Sequence, residues 1–296
     1  MYSGDILNKK TKGILLIINS AFFFALMNMF VKLAGDLPTF QKVFFRNAIA
    51  AVIALIMLLK NNKSFKPKNR KTFLYMLLRT FFGFTGVVCN YYALDRLVLS
   101  DASILNKLSP FFAILFAYVF LKEKPKLYQW ILVAGAFVGA LFVIKPSFDN
   151  PELFASVCAF MGGLTAGAAY GCVRKLGVMG EENLLIVFFF SAVSTLVSAP
   201  ITLVVFEPMS LFQLTMLLSA GVVAAIAQFS ITAAYTNAPP KEISVYDFSQ
   251  IIFAAALSFI VFDQLPDLLS VIGYIIIVSM AIINYLITNK KAQVDS

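Results

Sequence analysis

Long apolar runs separated by short clusters of charge, proline and polar residues make up nearly the whole chain. Cutting at those clusters leaves ten runs: 13–34, 40–59, 72–94, 102–121, 128–144, 152–173, 183–206, 210–234, 242–262 and 268–288. A bilayer core takes roughly 20 apolar residues per helix, so the pattern predicts ten transmembrane helices in an all-α integral membrane protein. No interval between runs has the length of a separate soluble domain. The first run is longer than a signal-peptide core and lacks a small-x-small cleavage site, which makes it a membrane helix.

Composition sharpens this picture. Hydrophobic residues are 60% of the 296, charged residues 13%, and phenylalanine occurs 31 times. A soluble domain of this length has too little interior to hide so much apolar surface, so lipid is the expected solvent. A net charge of +9 could signal nucleic acid, but the basic residues sit in short loops, as in an oriented membrane protein. No nucleic-acid partner is expected. If the N-terminus is inside, cytoplasmic segments hold seventeen Lys and Arg against two outside, Arg96 and Lys145. That bias predicts a multi-pass protein of the cytoplasmic membrane with both termini cytoplasmic. Cys89, Cys158 and Cys172 lie inside apolar runs without metal-ligand spacing, and there is no histidine. No metal and no cofactor are called for.

The chain is written twice. ALDRLVLSDASILNKLSPFFAILFAYVFLKEKP (93–125) and AYTNAPPKEISVYDFSQIIFAAALSFIVFDQLP (234–266) align without a gap at an offset of 141. Ala93 meets Ala234, Asp101 meets Glu242, Ser103 meets Ser244 and Pro125 meets Pro266. Five spans per half is an odd number, which turns the second copy upside down. Two inverted five-helix repeats, 1–145 and 146–296, are therefore expected, and such repeats place a substrate site near the midplane of secondary transporters.

With these features the chain resembles the drug/metabolite transporter superfamily in its EamA-type branch. The segments that carry the resemblance are FFRNAIAAVIAL, LLRTFFGFTGVVCNYYAL and SILNKLSPFFAILFAYVFLKEKPKLYQWILVAGAFVGALFVIKP. Arg46, Arg79, Pro110, Glu123, Gly135 and Gly139 stand where the family pattern would have them. In the second half, Asp263-Gln264 replaces the usual glycine-glutamate turn. The resemblance implies a transporter fold and a transport process. Members move amino acids, nucleotide derivatives, carboxylates and drugs, so it leaves the cargo open.

Charges inside the spans point to the site, because each costs about 2.5–3.5 kcal/mol on insertion scales. Lys42 and Arg46 share one face of span 2, Arg79 lies in span 3 and Lys107 in span 4. One acid, Asp247 in span 9, opposes them, so a substrate carboxylate or phosphate would supply the missing negative charge. Lys32 and Lys42, near helix ends, are expected to snorkel to the headgroups, and Arg79 has a structural alternative in backbone carbonyls or a loop acid. The repeat sets Asn106 against Asp247 and predicts that Lys107 and Asp247 approach to pairing distance. Such a pair would either be broken and remade in transport or hold helix register permanently. Asn28, Asn90, Gln228, Tyr246 and Gln250 are the polar residues expected around this cluster. Gly163, Gly167 and Gly171, and Gly135 with Gly139, form small-residue stripes for close helix packing, with a homodimer through a stripe left open. Gly83 and Gly86 would give flexibility or room for substrate. Pro110 is expected to kink span 4 and free a carbonyl near residue 106.

An enzyme would need a nucleophile and base, two close acids or a metal set, and the sequence offers none of these. It also lacks the GxxxxGK[ST] phosphate loop of an ATP-driven pump. A gapless inverted duplication argues against a simple pore. The expected function is secondary transport of a small polar, anionic metabolite by alternating access, with a proton or counter-substrate as coupling partner. Export of amino acids or cationic drugs on the same fold is the alternative.

Overall fold

The computed structural model describes residues 2–121, 127–144, 151–237 and 243–294, and every regular element among them is helical. In chain order these are α1 (Tyr2–Leu33), α2 (Thr39–Lys60), α3 (Arg70–Leu94), α4 (Leu99–Asn106), α5 (Ser109–Leu121) and α6 (Leu127–Ile144). There follow α7 (Leu153–Val178), α8 (Asn183–Val204), α9 (Leu211–Asn237), a 3₁₀ segment (Ser244–Phe248), α10 (Ser249–Phe262) and α11 (Leu268–Val294). Among the described residues seven helices are long and apolar enough to cross a membrane: those beginning at Thr11, Thr39, Arg70, Leu153, Asn183, Leu211 and Leu268. Trp130–Ile144 and Tyr246–Phe262 are shorter apolar helices. Glu123, Pro125, Glu242 and the loop cations Lys122, Lys124, Lys126, Lys145 and Lys241 lie outside the described residues.

Helix ends follow local chemistry. Asn69 caps α3, its side-chain oxygen accepting from the Thr72 N–H at 2.9 Å. Gly35 and Gly180 take positive φ, +69° and +73°, just beyond the ends of α1 and α7, as left-handed helix stops do. Asp263 does the same after α10 at φ +51°. The residue that departs from the family's glycine thus occupies the backbone conformation that favours glycine, which Asp tolerates better than bulkier side chains.

The sequence predicts one helix over 102–121, kinked by Pro110, and one over 242–262, and both are interrupted. Span 4 breaks at Lys107–Leu108, between α4 and α5. Pro110 has no N–H for the Asn106 carbonyl and its ring crowds that carbonyl, while within the first turn of α5 the same proline is well tolerated. Span 9 is 3₁₀ from Ser244 to Phe248 and becomes α-helical at Ser249. At the repeat offset of 141, Lys107–Leu108 corresponds to Phe248–Ser249, where the second interruption ends.

Small residues set the packing. A Cβ on Gly86 of α3 would meet the Gly162 carbonyl of α7 at 3.3 Å, and one on Gly139 of α6 would meet the Gly273 carbonyl of α11 at 3.0 Å. Gly163 lies against the carbonyls of Leu105 and Asn106, and Gly167 against that of Ser109. The α7 stripe thus seats the backbone of the α4–α5 break, and both predicted stripes are used inside the chain. The main helix pairings are α3 on α7, α1 on α9, α2 on α8, and α6 on α11. Outside, apolar side chains such as Leu203, Val204, Leu196, Ile252 and Ile260 stand exposed, a surface that suits hydrocarbon and not water.

Candidate functional site: a cation-lined cavity between the helices

A cavity lies where α1, α2, α3, α7, α8, α9 and α10 meet the α4–α5 break. Asn28, Arg46, Arg79, Asn90, Asn106, Lys107, Gln228 and Gln250 all line it. Eight of the ten sequence-nominated residues therefore meet in one place. The three cations are 1%, 3% and 2% exposed, and so turned inward, away from lipid.

Lys107 is held by its position at the end of α4, where its N–H bonds the Ser103 carbonyl at 3.0 Å. A cation at a helix C-terminus is favoured by the helix dipole. Its Nζ stands 2.7 Å from Asp247 Oδ1, an ion pair sealed from solvent on both sides. Asp247 does not line the cavity itself but neutralises the lysine that does. The two interruptions are what bring these residues together.

Arg46 and Arg79 are placed differently. Arg46 donates from Nη1 to the Asn47 side-chain oxygen at 2.6 Å, while its Nε has no partner. Arg79 lays its guanidinium 3.6 Å over the centre of the Phe190 ring, and Arg46 stands 5.5 Å from the same centre. The Nε and Nη1 of Arg79 have no hydrogen-bond partner. Among the described residues neither a backbone carbonyl nor a loop acid partners these two nitrogens, in contrast to the structural alternative drawn from sequence. Gly83 makes room for it, since a Cβ there would collide with Arg79 Nη1. Gly83 thus serves the guanidinium, and Gly86 serves helix packing.

Around the cations are amides with spare capacity. Asn90 donates to Asn28 at 3.3 Å and its own carbonyl oxygen is unpartnered, as is that of Gln250. Gln228 donates to the Thr232 hydroxyl at 3.2 Å. The arrangement can receive negative charge and both donors and acceptors of hydrogen bonds.

Two expectations are corrected. Lys42 does not snorkel. It is fully buried and its Nζ lies 2.5 Å from the Asp95 carboxylate, in the turn after α3. A pair inside protein replaces the headgroup contact, and Lys42 leaves the cation surplus. Lys32 likewise turns inward, donating to the Leu97 carbonyl at 2.5 Å. Tyr246 is outside the cavity lining, its hydroxyl 2.9 Å from that of Tyr285 on α11. Its 3₁₀ geometry replaces the helical spacing that would have set Tyr246 and Gln250 on one face.

Sequence reasoning passed over Tyr91, Tyr170 and Phe190, which also line the cavity. Phe190 ends the run FFF and nothing local distinguishes it from its neighbours. Tyr170 carries a weak signal, a hydroxyl in an otherwise apolar span; its ring stacks on Tyr235 at 4.9 Å.

The pattern of the EamA-like transporter family matches residues 11–145. The pseudopaline exporter CntI of Pseudomonas aeruginosa is 32% identical over 277 residues, which cover 92% of this chain and 95% of that one. The S-adenosylmethionine uptake transporter of Rickettsia bellii is 24% identical, covering 88% of each. A crystal structure at 14% identity superposes with a TM-score of 0.68 over 95% of this chain and 98% of that one, so the fold is shared.

Proposed function

The chain belongs to the EamA-like transporter family, and on that premise we propose that it is a secondary active transporter of a small anionic metabolite, working by alternating access. It is a multi-pass membrane protein and a transporter, not an enzyme. The named relatives work in opposite directions, one an exporter and one an uptake transporter. Carriage of a metabolite is proposed for this chain by likeness to them. The cargo proposed here carries a carboxylate or phosphate.

One observation carries the anionic reading: Arg46 and Arg79 are buried in the cavity, with unpartnered N–H groups and no carboxylate in ion-pair contact among the described residues. Buried charge of one sign favours a ligand of the other. A cationic cargo would meet two guanidinium groups at close quarters.

Ten spans in two inverted repeats, 1–145 and 146–296, are the architecture proposed. Three things support it: the constant offset, the interruption of both span 4 and span 9, and reciprocal helix pairing. Exchanging first-half helices for their second-half counterparts turns the α3–α7 contact into α9–α1, and maps α2–α8 and α6–α11 onto themselves. Lys107 and Asp247 belong to opposite halves, so rocking one half against the other would part them. Protonation of Asp247 or arrival of the substrate would lower the cost of that separation.

A thermal-shift screen of the purified protein against carboxylates, phosphates, amino acids and quaternary amines tests the cargo class. Stabilisation confined to the amines would overturn the anionic reading. Counterflow in proteoliposomes with the stabilising compound tests the carrier mechanism. Saturable, trans-stimulated uptake is expected, and Lys107→Arg and Asp247→Glu should each slow it at least tenfold. Normal transport by both variants would remove the gating role.

A further inference from the structure

Resting on the anionic reading above, we infer that the substrate is a dianion, gripped by Arg46 and Arg79 together while the Lys107–Asp247 pair stays closed. The charge balance of the cavity wall points there. Three cations line it, but Lys107 brings its own counter-charge at 2.7 Å. Arg46 and Arg79 bring none: no ion pair involves either among the described residues. The resident protein therefore leaves a surplus of two.

The two guanidinium groups are close enough to share one small ligand. Their carbons stand 3.6 and 5.5 Å from a single Phe190 ring centre, so they are at most the sum of these distances, about 9 Å, apart. Phe190 does not cancel their charge, since a cation over a ring face is still a cation. Arg side chains do not shed their protons at any physiological pH. Relief of the mutual repulsion must come from outside, and a monoanion would relieve half of it.

Donor geometry agrees. Arg46 Nε and Arg79 Nε and Nη1 are buried donors without partners, and guanidinium edges match carboxylate and phosphate oxygens two at a time. The unpartnered carbonyl oxygens of Asn90 and Gln250 accept from hydroxyl or amide groups on the body of the same ligand. A compact dicarboxylate or a phosphate monoester that also bears a hydroxyl or amide group satisfies all of these demands. A single carboxylate leaves one guanidinium unanswered.

The test measures binding to the purified full-length protein by calorimetry, using succinate, its monoamide succinamate, its diamide succinamide, glycerol 3-phosphate and tetramethylammonium. Succinate or glycerol 3-phosphate should bind at least about tenfold tighter than succinamate, the loss expected for one charge-assisted contact. The tighter of the first two distinguishes a dicarboxylate from a phosphate substrate. Arg46→Gln and Arg79→Gln should each abolish the preference for the dianion while succinamate still binds; a merely structural role would weaken both ligands alike. Binding of neither succinate nor glycerol 3-phosphate more tightly than succinamate in the unaltered protein overturns the dianion and leaves the anionic reading standing. Binding by tetramethylammonium alone, equal binding of succinamide, or no binding by any compound at millimolar concentration overturns both.

Discussion

Asp247 and Lys107 illustrate how a charge deep in a membrane protein is made tolerable by one partner. Removing that partner should be far worse than removing both. Lys107→Met leaves the Asp247 carboxylate buried and alone, and should cost about 3–5 kcal/mol, read as a fall in detergent melting temperature. Lys107→Met combined with Asp247→Leu should recover most of that loss while transport stays abolished. If the double variant is as unstable as the single one, the pair is not what stabilises this region. Asp263 gives a smaller residue-scale prediction. At φ +51°, a β-branched residue should be worse than Asp by about 1–2 kcal/mol, so Asp263→Val should melt measurably earlier than the parent. Of the site, sequence spacing disclosed most of the charged and amide residues, because charge in an apolar run is conspicuous. It did not disclose Asp95 as the partner of Lys42, which lies 53 positions away across a turn. Nor did it separate Phe190 from the other rings of its run, because only the fold sets two arginines upon it.

At the scale of elements, the apolar runs predicted the long helices to within a few residues, with larger differences at the ends of α1, α7 and α11. Length and hydropathy decide those helices, and both are local quantities. The interruptions in spans 4 and 9 were harder to see. Pro110 announced a kink near residue 106, yet the separation into α4 and α5 also depends on how closely α7 approaches. That approach relies on glycines with no side chain to obstruct it. A Cβ on Gly163 would stand 2.6 Å from the Leu105 carbonyl, and one on Gly167 would stand 2.7 Å from that of Ser109. Gly163→Ala and Gly167→Ala should therefore push the break away from α7 and destabilise by about 1–3 kcal/mol. Melting temperature and transport should fall together. Full stability with full transport in both would mean that the break does not depend on this seat.

For the molecule as a whole, the proposed orientation makes a prediction independent of the substrate. The 61–69 loop carries Lys63 and Lys68, which meet Glu182 and the Gly180 carbonyl at the α7–α8 turn. At the opposite ends of the same helices, Gln41 exchanges two 2.9 Å hydrogen bonds with the backbone of Glu207. Single cysteines at Ser64 and Ser210, in a background lacking Cys89, Cys158 and Cys172, should be labelled from opposite faces by a membrane-impermeant maleimide in whole cells. Ser64 should react only after the membrane is opened, and Ser210 without it. The reverse result would invert the topology while leaving the cavity untouched.

The ion pair between the two interruptions has a wider consequence. Its members do not come from equivalent positions: the counterpart of Lys107 is Phe248, and that of Asp247 is Asn106. Two identical copies of either half, assembled head to tail, would therefore bring no acid to meet a base at this spot. One would offer two lysines and the other two aspartates. On the proposed two-repeat architecture each half complements the other, and a chain split between them should work only when both fragments are supplied.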